Sequence, residues 1–135
     1  MKLEELHANL KILNSNKIVV MKSGSFYKTF GDDALILWKM FGYRINSGVA
    51  CFPITSFGGV IGRLNRAGIS VIVNNSDGVI NYETALENTY NEYLENAINS
   101  NIINNKIEEM KDKIQKKLNE DINNYNRIDE FLEKL

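Results

Sequence analysis

Met21-Lys22-Ser23-Gly24-Ser25-Phe26-Tyr27-Lys28-Thr29-Phe30-Gly31-Asp32-Asp33-Ala34 is the stretch that decides how this 135-residue chain reads. The apolar, β-branched run Ile18-Val19-Val20-Met21 leads into it, and residues 17–22 read as a buried strand. Ser23-Gly24-Ser25 is a turn, and Ser25 to Phe30 returns as a second short strand paired to the first. Alternation along that strand sends Phe26, Lys28 and Phe30 to one side and Tyr27 and Thr29 to the other. An aromatic beside a glycine turn is most often core; Tyr27 and Phe30 are assigned there. Asp32 is a fair N-cap for a helix over 33–41, and the paired carboxylates Asp32 and Asp33 suit the positive end of its dipole.

Before this stretch, Leu3, Leu6, Leu10 and Leu13 recur at helical spacing and predict an amphipathic helix over 3–14, with His7 on its polar side. After it, Gly42 stops the helix, and residues 43–45 and 50–54 predict strands about a turn at Asn46-Ser47-Gly48. Pro53 is expected at a strand end or edge. A helix capped by Thr55 or Ser56 runs to Ala67 and closes at Gly68. Gly58, Gly59 and Gly62 weaken it by roughly 1 kcal/mol each relative to alanine. Close approach to another backbone, or an irregular first turn, would explain them. Residues 69–74 predict a final strong strand, and Asp77-Gly78 a turn. Strands alternating with helices predict an α/β fold, a mixed β-sheet flanked by helices.

The texture changes after Ile80. Residues 83–134 contain neither glycine nor proline. Apolar residues recur at helical spacing from Leu86 to Ala97 and from Ile103 to Ile122. Helices are expected near 83–100, 106–124 and 127–134, interrupted at Asn104-Asn105 and from Asn123 to Asn126. The expected organisation is an α/β domain over 1–81 and an acidic C-terminal helical extension over 82–135. An apolar stripe of this kind must be buried. It can fold back on the sheet, pair as a helical hairpin, or make a homo-oligomer through residues 83–134.

Charge follows the same division. Residues 1–81 hold nine Lys/Arg against five Asp/Glu, and residues 82–135 hold seven against twelve, so a chain of net charge −1 hides a +4 part and a −5 part. A positive α/β part suits an anionic partner such as duplex DNA. The chain holds one cysteine, Cys51, and one histidine, His7. A four-cysteine zinc site and an intrachain disulfide are excluded, and Cys51 in its apolar stretch reads as a buried, inert thiol. No Ser-His-Asp triad or histidine-containing metal cluster can be assembled, so no catalytic residue, metal or cofactor is expected. With no run of 18 apolar residues and no signal-peptide core, a cytoplasmic protein that does not enter the membrane is expected.

Gly24-Ser25-Phe26-Tyr27-Lys28-Thr29-Phe30 resembles the G-x-F-Y-E-x-F signature of the N-terminal mismatch-recognition domain of MutS, the bacterial mismatch-repair sensor. Gly31-Asp32-Asp33-Ala34 is similar to the F-x-D-D-A continuation that opens a helix in that family. Phe52-Pro53-Ile54 resembles its I-P-Y, and Leu64 to Gly68 followed by Ser70-Val71-Ile72-Val73 resembles its L-x-x-x-G helix end and next strand. The likeness covers about residues 3–75. It implies that Phe26 is a wedge, inserted beside a mispaired base from the minor groove to help kink the duplex. Such insertion costs a few kcal/mol in unstacking, offset by the contacts a bent duplex makes.

Three departures qualify what the resemblance implies. Lys28 stands where the family has a glutamate that accepts a hydrogen bond from the displaced base; a lysine can only donate. Ser25 replaces a usually acidic or polar residue, and Asn74-Asn75-Ser76 replaces C-E-Q. No G-x-x-x-x-G-K-[ST] phosphate loop occurs, so a stand-alone module or a fragment of the recognition function is expected rather than a mismatch-repair ATPase. The expected function is a non-enzymatic DNA-binding module acting on mispaired or deformable duplex through Gly24, Phe26 and Lys28. Lys22, Arg63 and Arg66 are its candidate phosphate contacts. The alternative is a protein-interaction or oligomerisation module that kept the scaffold and lost mismatch recognition. A nuclease carries little weight without a carboxylate cluster.

Overall fold

The apolar run before the Gly24 turn forms a central strand, β1 (Ile18–Ser23), in a computed structural model that describes residues 2–135. Helix α1 (Leu3–Leu13) precedes it. After it come β2 (Phe26–Phe30), α2 (Gly31–Phe41), the hairpin β3 (Ile45–Asn46) and β4 (Val49–Pro53), a 3-10 turn (Ile54–Ser56) and α3 (Phe57–Arg66). Then follow β5 (Val71–Asn75), β6 (Gly78–Tyr82), α4 (Tyr90–Glu120) and α5 (Asn124–Glu133). The strands form one mixed α/β sheet in the order β3-β4-β2-β1-β5-β6. β1 and β5 are parallel, joined through the helical crossover, and the other neighbours are antiparallel.

Residues up to Ile98 form one compact unit and Asn99–Leu135 a second. In the first, the sheet has two unequal faces. Ile18, Val20, Tyr27, Phe52, Val71 and Val73 face α2 and α3, where Ile36, Leu37, Val60, Ile61 and Leu64 complete the main core. Val19, Met21 and Ile72 face the other way and are covered by Leu3, Leu6 and Leu10 of α1, with Phe30 beside them. Leu13, expected on the buried stripe of α1, is exposed, because it sits in the last turn, as the chain leaves for β1.

The two faces are tied together by one carboxylate. Asp33 is fully buried. Its Oδ1 accepts from Lys11 Nζ at 2.9 Å and the Tyr90 hydroxyl at 2.6 Å. Its Oδ2 accepts from His7 Nε2 at 2.8 Å and the Val19 N–H at 3.0 Å. A carboxylate only accepts, so the proton on that ring nitrogen belongs to His7. Four donors fill the four lone-pair positions. The sequence suggests a different use for these residues. Helix α2 begins at Gly31 with no side-chain cap, so Asp32 does not cap it, and Asp33 serves the core rather than the helix end. His7, expected to face solvent, is buried.

Other local expectations also change. Gly78–Tyr82 is a strand, an exposed edge added through a Ser76-Asp77 loop, one residue before the expected turn; its weak alternation hid it. Residues 83–89 are not helical, because the chain is pinned to the end of α3: the Thr89 N–H and hydroxyl donate to the carbonyls of Gly68 and Ala67. Gly68 permits this, with φ at 91° and a position where a Cβ would lie 2.5 Å from the Glu87 carbonyl. Residues 90–98 pack with the sheet, burying Tyr90 and Ala97. Asn104-Asn105 does not interrupt α4, since asparagine in a helix interior costs only about 0.7 kcal/mol or less. A Cβ at Gly58 or Gly59 would meet nothing within 4 Å, so no backbone presses on them. They lie in the first turn of α3, directly after the 3-10 turn.

The Asp33 cluster has a measurable alkaline signature. Burial first, and then the neighbouring Asp33 charge, raise the Tyr90 phenol above its ordinary pKa. Below about pH 10 the folded and unfolded chains both hold this proton. Above it only the unfolded chain releases it, so stability falls by up to about 1.4 kcal/mol per pH unit. Urea unfolding at neutral and alkaline pH should show Tyr90→Phe to be less stable than the parent at pH 7 but with a shallower alkaline decline. Asp33→Ala should cost about 3–5 kcal/mol or prevent folding, since it strands buried donors.

Candidate nucleic-acid interface

The β1–β2 hairpin ends in a two-residue loop, Gly24-Ser25, between the paired residues Ser23 and Phe26. Gly24 has φ of 60°, the left-handed conformation that the first central position of a type II′ turn needs. That turn matches the twist of the strands and places Phe26 at the very start of β2. Phe26 is 47% exposed, whereas its neighbour Tyr27 is 8% exposed and stacked between Phe52 and Phe57, at ring-centroid distances of 5.5 and 4.8 Å.

Register sets the company that Phe26 keeps. On its face, Phe26 lies beside Ser23 and Pro53, and Lys28 beside Met21 and Cys51. Met21 in turn neighbours Asn74, and Asn74 neighbours Val79. The short α1 covers this face only over Val19, Met21, Ile72 and Phe30. The remainder, from Phe26 and Pro53 through Lys28 and Cys51 to Val79, is exposed or half-buried and holds no acidic side chain. Cys51, expected to be buried, is half-buried here. Phe26 and Lys28 are two residues apart on one strand face, about 7 Å.

Three connections gather at this end of the sheet: the Gly24-Ser25 turn, the Ile54–Ser56 turn and the Ser76-Asp77 loop. The Ile54 N–H donates to the Ser25 carbonyl at 3.0 Å and locks the first two together. Lys22, exposed, sits at the same end but points to the opposite face, across from Tyr27. Among the described residues neither Lys22 nor Lys28 pairs with a carboxylate. Asp77, in the neighbouring loop, is the carboxylate of this rim.

Of the residues singled out from sequence, Gly24, Phe26 and Lys28 therefore converge, with Lys22 beside them. Arg63 and Arg66 do not join them. Both belong to α3, in the layer behind the opposite face, and the Arg63 guanidinium lies 4.8 Å over the Phe41 ring. Arg66 closes α3 just before β5, whose start pairs with Ile18 at the far end of β1. Sequence reasoning missed Cys51, Asn74 and Val79 on the Phe26 face, because only strand register brings them there. No group of three or more His, Cys, Asp or Glu side chains placed to hold a metal occurs among the described residues. No helix among them is long and apolar enough to cross a membrane.

The sheet, half-open on one face and with an aromatic raised on a hairpin turn, defines a small α/β domain. A model of the MutS domain I family matches residues 2–126, and the chain belongs to that family. At family level it is a MutS-like mismatch-recognition domain. The match runs well beyond the aromatic motif, through β6 and α4 into α5. No curated protein matches the chain.

The contrast between the two adjacent aromatics can be measured. Phe26→Ala should cost no more than about 1 kcal/mol, because half the ring is already in water, whereas Tyr27→Ala should cost about 3–5 kcal/mol as a core truncation. Denaturant midpoints decide it; equal losses would mean that Phe26 is a packing residue.

Proposed function

We propose that the open end of the sheet binds duplex DNA without catalysis and uses Phe26 as a wedge against mispaired or deformable steps. One observation carries this: a half-exposed phenylalanine held up by a left-handed glycine turn, on a face with unpaired lysine and no carboxylate. Exposing a large ring to water is unfavourable, and stacking on a base would recover the loss at about 1–3 kcal/mol per base. Mispaired steps kink more cheaply than matched ones, so a preference for them can arise from deformability alone. In this scheme Lys22 holds the phosphate backbone. Lys28 contacts a phosphate or a base edge; as a donor, it fits the acceptors that every base pair shows in the minor groove.

Fluorescence anisotropy with matched, mismatched and bulged duplexes tests the proposal. Binding should be tightest to the mismatched or bulged duplex. Phe26→Ala should abolish that preference and leave weak non-specific binding. Lys22→Gln and Lys28→Gln should each lower the slope of log affinity against log salt by about 0.9 for every phosphate the side chain neutralises. No binding to any duplex at about 50 mM salt, where phosphate attraction is strong, would refute it.

A second reading, a protein-interaction or oligomerisation module, is favoured by a separate observation. In the second unit Ile103, Ile107, Met110, Phe131, Leu132 and Leu135 are 46–86% exposed. Large apolar side chains left in water in such number within one short unit are the usual mark of a surface that meets a partner. The two readings concern different surfaces and are compatible.

A further inference from the structure

Within the second unit, α5 turns back on the last turns of α4. The Asn124 side-chain amide donates to the Lys117 carbonyl at 2.9 Å, and the Asp121 carboxylate accepts from the Asn123 N–H at 3.0 Å. Between the two helices lies an open groove of about 770 Å3. Its floor is apolar: Met110 and Ile114 from α4, and Ile128, Phe131, Leu132 and Leu135 from α5. Its rim carries Lys113, Lys117 and Arg127, and no acidic side chain lines it.

The basic rim does not reflect general basicity: the groove lining holds three cationic side chains and no acidic one. Residues 99–135 hold seven Lys/Arg and eight Asp/Glu. Away from the groove, Lys106, Lys111 and Lys134 each lie within 4 Å of a nearby glutamate, while Lys116 pairs with no carboxylate among the described residues. In the groove, Lys113 and Arg127 have no acidic partner among the described residues, while Lys117 meets Glu120 at 3.7 Å in an exposed contact like that of Lys106.

We propose that this groove docks an amphipathic helix of a partner protein, one with an apolar stripe flanked by Glu or Asp. The proposal deepens the second reading above and is independent of DNA binding. A helix laid in the groove covers the floor with its apolar face while its flanking carboxylates meet the rim cations. Helix α5 spans ten residues, about 15 Å, or three turns of a partner helix. The other occupants fit less well. A second copy, face to face, would set Lys113, Lys117 and Arg127 against the same three charges. A duplex would satisfy the cations but leave Phe131 and Leu132 in water.

The experiment uses the full chain and two labelled peptides of about 18 residues, long enough to be helical when bound. Both carry leucine at heptad a and d positions; one has glutamate on the flanks, the other lysine. Anisotropy should show the glutamate peptide binding at least about tenfold more tightly, with the gap closing as salt rises. Phe131→Asp should remove binding. Because that change could loosen α5, the exposed pair Lys113→Glu/Arg127→Glu is the second variant; it should reverse the preference toward the lysine peptide, with helicity by circular dichroism unchanged. Phe26→Ala should leave peptide affinity untouched, which separates this site from the DNA surface. Equal binding of the two peptides, no binding of either, or an unchanged preference in the charge-reversed pair would overturn the proposal. So would sedimentation of the full chain as a dimer that Phe131→Asp returns to monomer, which would assign the groove to a second copy.

Discussion

The Asp33 carboxylate is the group on which the rest of the first unit depends. It sits in the first turn of α2 and draws four donors from three other elements: His7 and Lys11 from α1, the backbone of β1 at Val19, and Tyr90 from α4. A buried carboxylate without partners would be strongly unfavourable, and these donors satisfy both of its oxygens and hold it in place. Lys11 adds a second link, its ammonium lying 4.5 Å over the Tyr90 ring. Since α2 follows β2 without a loop, pinning Asp33 fixes one end of the hairpin. The Gly24 turn and Phe26 are the other end.

The same arrangement accounts for the asymmetry of the sheet. Two helices are needed behind β1 and β2, where Tyr27, Phe52 and the aliphatic residues of β1 and β5 form the main core. Only α1 lies in front, and its leucines stop at Met21. What remains uncovered is a strip in which an aromatic, a lysine and small or neutral side chains lie side by side. Stability is supplied by the closed half of the domain, so the open half is free to be selected for what it touches. The acidic surplus of the chain falls outside this strip, toward the C-terminal residues.

Much of this was legible because glycine punctuates the sequence. Gly24, Gly42 and Gly68 mark where elements stop, and the apolar runs between them identify β1, α2, α3 and β5. The aromatic motif resembles the family's, and that resemblance, rather than alternation along β2, implies an exposed Phe26. What sequence could not provide was long-range pairing. Asp33 and His7 are 26 residues apart, and an acidic pair at a helix start has a sufficient local explanation as a cap. A signal was present: His7 lies four residues after Leu3 and three before Leu10, on the buried stripe, and Lys11 follows one turn later. The break expected at Asn104-Asn105 does not form, because two weak propensities cannot outweigh an uninterrupted run of helix-compatible residues. Charge alone groups Arg63 and Arg66 with Phe26, and only the path of α3 shows that they stand behind the opposite face.

The central claim is that the Phe26 ring enters the base stack of a bound duplex. A duplex with 2-aminopurine beside a mismatch reports this directly, because the base brightens when it is unstacked. The full chain should raise that fluorescence on binding, and Phe26→Ala, under conditions where it still binds the duplex, should not. Equal brightening by both proteins, or binding of the parent with no change in stacking, would contradict the account.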